Sequence, residues 1–197
     1  MDKITELLMI GAAATQPTLY ADDVFASHTW TGTQKNLTLT NNVNLLTKGG
    51  LVWIKNRAAL TNNVLVDTVR GTTKTLVSNS NAAAATLSTS LTAFSSAGFK
   101  IGSHVDVNAT GGLFGSWSFA RSAKFFDIVT WTGDGTLNKT IPHGLKCQPG
   151  LILAKAVNAV DDWIACIRTS ENAWSRGDEN TSFSLNSNNG LASITYR

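Results

Sequence analysis

The chain has 197 residues, of which 15% are charged, and 16 basic against 13 acidic residues give a formal charge of +3. Average soluble domains carry roughly 25% charged residues; here the basic ones stand singly, without the clustered face that a nucleic-acid partner requires. Two cysteines, Cys147 and Cys166, are too few for a disulfide framework or a zinc site, and 25 Thr and 17 Asn suit half-buried strands joined by tight turns rather than a helical enzyme.

Residues 1–20 read as an N-terminal anchoring arm. Ile4, Leu7, Leu8 and Gly11 recur at helical spacing, and Asp2 is placed to cap the first turn. With Ile10 added, the arm's assembly residues are Ile4, Leu7, Leu8 and Ile10. So short an element has too little surface to form a core alone and must dock on something else. A secretory signal is the alternative, but Asp2 and Glu6 put acid where a signal needs positive charge. No run of 18 apolar residues occurs, so no membrane span is expected.

A first β-sandwich-like unit is expected over 21–124. Leu37 and Leu39 alternate with Thr38 and Thr40, which gives a half-buried strand. Leu51 to Ile54 is continuously apolar, as in a strand covered on both faces. Two sheets packed face to face provide both kinds of strand. Residues 78–96 read as a surface loop with at most one helical turn at Ala82–Ala85. Strands are predicted at Phe99–Val107 and Phe114–Ala120 with Gly111-Gly112 as the turn between them. In the latter, Trp117 and Phe119 are expected to face a core, with Ser116 and Ser118 opposite. Trp30, Trp53 and Trp131 are likewise assigned to packing.

The boundary falls near residue 124, and a second, shorter β-sandwich-like unit is expected over 125–197. Its warrant is a repeat. Gly49-Gly50-Leu51-Val52-Trp53-Ile54-Lys55 returns as Pro149-Gly150-Leu151-Ile152-Leu153-Ala154-Lys155, 100 residues on. Thr29-Trp30-Thr31-Gly32 returns as Thr130-Trp131-Thr132-Gly133, and Val64-Leu65-Val66 falls opposite Ile164-Ala165-Cys166. Solenoid units repeat every 20 to 50 residues or so; this period is that of a small domain. Pro149-Gly150 introduces a central strand, and further strands are predicted at Trp163–Ile167, Ser182–Leu185 and Ala192–Tyr196, with Cys166 a buried free thiol. The shorter unit has no clear counterpart of Phe114–Ala120, and an incomplete sheet of that kind points to an oligomer or to a chain that once continued further.

Catalytic machinery is not legible. His28, His104 and His143 are isolated from one another, and the adjacent carboxylates Asp22-Asp23, Asp161-Asp162 and Asp178-Glu179 would point to opposite faces of a strand. Glycine-rich phosphate loops and nucleophile elbows are absent. No catalytic, cofactor-binding or metal residue is therefore assigned. Trp163 and Trp174 lie among polar residues; strand packing is the first reading for them, and stacking on a sugar or a partner protein is the alternative.

Asp23-Val24-Phe25, Thr29-Trp30-Thr31-Gly32, the Gly49–Lys55 segment, Phe114-Gly115-Ser116-Trp117-Ser118-Phe119 and Phe125-Phe126-Asp127-Ile128-Val129 stand in a fixed order. Together with Thr140-Ile141-Pro142-His143-Gly144-Leu145 and Pro149–Ile152, they resemble a repeat domain of tail-fibre and other tail-associated virion proteins of bacteriophages, especially marine and cyanobacterial ones. The resemblance covers about Asp22 to Arg168. It implies a non-enzymatic structural or adhesion role in the virion, within a homo-oligomer that is usually a trimer, among tail, collar or portal-region proteins. Recognition of a host-surface glycan, or a place as a head-surface decoration, is the alternative.

Overall fold

The computed structural model describes residues 19–170, 173–175, 181–182, 185–186 and 192–193, with side chains described for 19–168 and 185–186. The arm residues Ile4, Leu7, Leu8 and Ile10 lie outside this set. The protein is all-β, with 37% strand against 7% helix. A six-stranded antiparallel sheet runs β1 (Phe25–Thr31), β9 (Leu113–Ala120), β3 (Gly50–Asn56), β4 (Val64–Asp67), β5 (Lys74–Val77) and β6 (Ala85–Thr86). A three-stranded sheet runs β2 (Leu37–Thr40), β8 (Gly98–Ile101) and β7 (Leu91–Ser95). Further along the chain come the sheet of β10 (Leu151–Ala154), β11 (Ile164–Ser170) and β12 (Ala173–Ser175), then the pair β13 (Thr181–Ser182) and β14 (Ala192–Ser193).

The first two sheets share one apolar core. Val52 and Ile54 of β3, Val64 and Val66 of β4 and Phe114 of β9 meet Leu39 of β2, Leu91 of β7, and Phe99 and Ile101 of β8. Each such side chain, fully buried, stabilises by about 1.5–3 kcal/mol. Trp30 packs against this cluster with its ring stacked on Phe114 at 5.5 Å, and its indole N–H donates to the Val107 carbonyl at 3.2 Å. Loops over the end of the core are tied by buried Asn108, whose side chain accepts from the Thr33 N–H and donates to the Gly102 and Lys35 carbonyls. Thr38 and Thr40 point to solvent as the alternation predicts.

Several expectations are corrected. In β9 the serines face the core and Trp117 and Phe119 face away: Ser116 and Ser118 are buried while Trp117 is 40% exposed. The pairing dictates this, because Ser118 lies opposite Val52 and Ser116 opposite Ile54, and directly paired residues share a face. Strand β8 ends at Ile101, and Val105–Asn108 is a helical turn capped by the His104 side chain. Gly111-Gly112 therefore does not join a hairpin; it carries the chain from one sheet to the other, since β8 pairs with β2 and β7 while β9 pairs with β1 and β3. The Ser- and Ala-rich stretch holds β6 and β7 and no helical turn, because Ala85 finds a sheet partner in Thr75. Residues 127–150 contain no strand, and Trp131 is 52% exposed. Thr29–Thr31 is held as a strand by β9, whereas nothing among the described residues plays that part for Thr130–Thr132.

The repeat itself reappears in three dimensions. Leu51 pairs with Asp67 and Ile54 with Val64; Leu151 pairs with Ile167 and Ala154 with Ile164, in the same register 100 residues on. Even the closing hydrogen bond recurs, from Thr68 N–H to the Gly50 carbonyl at 3.0 Å and from Arg168 N–H to the Gly150 carbonyl at 2.8 Å.

The two copies nevertheless treat their shared glycine differently. A methyl group on Gly50 would lie 2.1 Å from the Phe119 carbonyl oxygen and 3.0 Å from the Ala120 Cα, whereas nothing approaches Gly150 within 4 Å. Gly50→Ala should destabilise the protein by about 3 kcal/mol, and Gly150→Ala should stay within about 0.5 kcal/mol of wild type. Urea unfolding of the two variants checks the contrast; equal effects would mean that β9 does not press on β3.

Candidate functional site

Three places concentrate side-chain interactions. The first is where the second copy of the hairpin meets the first. Trp163 is only 5% exposed and packs with Leu65 and Leu76, flanked by Leu51, Trp53, Ala84 and Leu153. Its indole N–H donates to the Val77 carbonyl at 2.9 Å, and its backbone N–H donates to Asn186 Oδ1, also at 2.9 Å. Backbone bonds from Ala84 N–H to the Val157 carbonyl and from Asp161 N–H to the Asn81 carbonyl flank the ring. Trp163 is thus a wedge in the junction, in line with the packing reading, and the alternative of an exposed stacking ring is corrected for it: Asn186 and Asp162 cap the edge of the junction instead of lining an open platform. Strand β12 pairs Trp174 with Arg168 through the backbone, and the Trp174 side chain lies outside the described residues.

The second place is the corner where the chain leaves β9. Phe119 bridges Phe25 at 5.1 Å and Phe126 at 5.4 Å. Beneath them Asp127 accepts from Arg121 Nε at 2.7 Å, from the Gly144 N–H at 2.6 Å and from the Ile128 N–H at 2.9 Å. Burial raises the pKa of this carboxyl most strongly, but the Gly144 N–H, the Arg121 guanidinium and the Ile128 N–H together outweigh it and hold the pKa below the ordinary 3.8. The group fastens Gly144 of the Pro142-His143-Gly144 turn to Arg121, just past the end of β9.

The third place is a surface cleft of about 490 Å³ lined by Lys55, Leu60, Thr61, Asn62, Asn63, Asn79 and Asp106. Lys55 Nζ donates to the Thr61 carbonyl at 3.0 Å, and Asn62 Nδ2 donates to Asp106 at 2.9 Å. Leu60 projects fully into solvent at its lip. These residues come from three separated segments; in sequence Lys55 stands out only as the end of the repeated Gly49–Lys55 segment and Asn79 only as part of the 78–96 stretch, and no pattern joins the three.

The histidines remain apart. His28 stacks on Trp30, while His104 Nδ1 accepts the Asp106 N–H and His143 Nδ1 accepts the Leu145 N–H. Of the carboxylate pairs, Asp23 accepts the Tyr20 N–H, Asp161 accepts the Asp162 N–H, and Asp162 accepts Asn186 Nδ2; Asp178 and Glu179 lie outside the described residues. Cys166 is half-buried rather than buried, and both cysteines are free thiols. No helix among the described residues is long and apolar enough to cross a membrane.

Fold and site together define an all-β protein whose repeated hairpin is docked back on its own first copy. Residues 20–195 match the family model described as Domain of unknown function (DUF7483), and the chain belongs to that family. No curated protein and no solved structure matches it.

Trp163→Ala should cost about 3–5 kcal/mol, read as a lower urea midpoint with faster amide exchange in both β4 and β11; exchange altered in β11 alone would mean that the ring does not couple the copies. Because the Asp127 pKa is depressed on folding, the stability it contributes is present above pH 3.8 and is lost as pH falls through the folded value. With the Arg121 side chain 42% exposed and so partly screened, Asp127→Asn should cost about 1–2 kcal/mol near neutrality. Thermal unfolding of both proteins between pH 7 and pH 3 should show that gap closing only at the acid end; a gap independent of pH would assign the effect to packing.

Proposed function

We propose that this chain is a non-enzymatic structural protein of a bacteriophage virion, a tail-fibre or tail-associated component attached through its N-terminal arm to a neighbouring tail, collar or portal-region protein. In this reading residues 21–124 and 125–197 are two tandem related β-sandwich-like units, assembled as a homo-oligomer, with a trimer the expected form, on the particle. The observation that carries it is the hairpin repeated in one register and pinned to its first copy by Trp163. Such an arrangement makes a stiff two-copy block, suited to bearing load and to presenting a surface. The polar groups at the junction and the corner support the same view, because they spend their hydrogen bonds on holding segments together. Turnover has no part in this reading.

One observation favours a second reading, recognition of a host-surface glycan. The cleft at Lys55, Asn62, Asn63, Asn79 and Asp106 offers amide, ammonium and carboxylate groups beside an apolar Leu60, a mixture that suits a polyhydroxylated ligand.

Deleting residues 2–15 should leave a folded protein that no longer incorporates into particles, as judged by mass spectrometry of purified virions. Normal incorporation would remove the arm from the proposal. A glycan array separates the two readings, since the structural role expects no specific sugar signal.

A further inference from the structure

The cleft beside Lys55 holds polar groups that the fold leaves unused. Thr61 Oγ1 and Asn63 Oδ1 are shielded from solvent at its lining and have no hydrogen-bond partner among the described residues, whereas the great majority of buried polar atoms are paired. Both side chains can therefore turn toward an incoming group without breaking a bond. Around them the wall is already set. Asn79 Oδ1 accepts the Asn63 N–H at 2.8 Å, and Asp106, on the helical turn Val105–Asn108, accepts Asn62 Nδ2 at 2.9 Å. Lys55 gives one of its N–H groups to the Thr61 carbonyl. That leaves its other two donors, the Asn79 amide N–H groups, the Asn62 side-chain carbonyl and the second Asp106 oxygen for a ligand. The same end of the second hairpin is closed. At the offset of 100, Lys155 Nζ donates to both the Ala156 and Ala159 carbonyls, Asp162 accepts Asn186 Nδ2, and buried Trp163 stands in the place of Asn63. The unspent groups thus belong to the surroundings of the first copy and not to the hairpin as such.

We infer that this cleft takes an uncharged sugar in preference to an acidic one, an inference that rests on the glycan reading above and names the class of glycan. Lys55 and Asp106 are the ionised side chains on its lining, one of each sign. A carboxylate entering there meets Asp106 and the amide oxygens, and a cation meets Lys55, so like charges oppose either kind of ion. Hydroxyl groups donate and accept at once, as the lining does. Asn63 Oδ1 accepts only, so what completes it is a donor; a sugar hydroxyl supplies one and an ionised carboxylate does not. The second Asp106 oxygen takes another hydroxyl proton, while Lys55 and Asn79 donate to hydroxyl oxygens. Leu60, fully exposed at the lip, offers apolar surface to the C–H face of the ring.

Heteronuclear NMR of the full chain tests this with two sets of oligosaccharides. One set is neutral, built from glucose, galactose, mannose and N-acetylglucosamine; the other is acidic, carrying sialic or uronic acids. The side-chain amide signals of Asn62, Asn63 and Asn79 should move with members of the neutral set, at a Kd about tenfold or more below that of the best acidic one. Asp106→Asn should narrow that gap, because it leaves Lys55 as an unopposed cation; a gap that the variant leaves unchanged overturns the charge argument and the inference with it. Should the variant misfold, the comparison of the two sets on the wild type decides alone. Tighter binding of acidic sugars at the same amides overturns the inference and leaves the glycan reading standing, whereas no movement of these amides with either set overturns both. Incorporation into particles is read in a separate assay, so failure here leaves the virion proposal to its own test.

Discussion

The fold depends on one hairpin that packs on both of its faces. Strands β3 and β4 send Val52, Ile54, Val64 and Val66 to one core and Leu51, Trp53 and Leu65 to another cluster. A strand pair with two apolar faces cannot sit at the surface of a single sheet, because each face left wet forfeits about 1.5–3 kcal/mol per large side chain. One cover is the β2–β8–β7 sheet. The other is the second copy of the same hairpin, with Trp163 driven against Leu65 and Leu76. Both the packing of the first two sheets on each other and the docking of β10 and β11 against them are answers to this single requirement.

Polar chemistry is arranged around that frame and mostly serves it. Asn108 joins three loops, Asp127 fastens a distant turn, and Asp67 caps its own turn through the Val69 and Arg70 N–H groups while pairing with Arg70 Nε at 2.6 Å. Carboxylates used in this way accept from several donors at once, which leaves little of their hydrogen-bonding capacity for a ligand. The cleft near Asp106 differs, since Asn62, Asn79 and Leu60 reach solvent there. That difference in exposure is why adhesion stands beside the structural reading, and why the two call for separate assays.

The repeat shows how one pattern can serve opposite ends. Copying the hairpin preserved the pairing and the closing hydrogen bond, which depend on backbone geometry alone. Its surroundings were not copied in the described residues, so the face opposite the junction carries isoleucines where no sheet covers them. Gly50 is pressed by a neighbouring strand and Gly150 is not, for the same reason.

The sequence alone determined the local alternations, the all-β class and the 100-residue repeat, because strand pattern is a property of consecutive residues and the hairpin closes within about twenty of them. It left open which of two faces points inward. Ser116 and Ser118 against Trp117 and Phe119 is as good an alternation read either way, and only the register of β9 on β3 fixed the serines inside. Likewise, Trp163 sits among polar neighbours in sequence, yet its ring meets Leu65 and Leu76, some ninety residues earlier in the chain. Those choices are made by non-local pairing and by the burial it permits, and so belong to the tertiary structure.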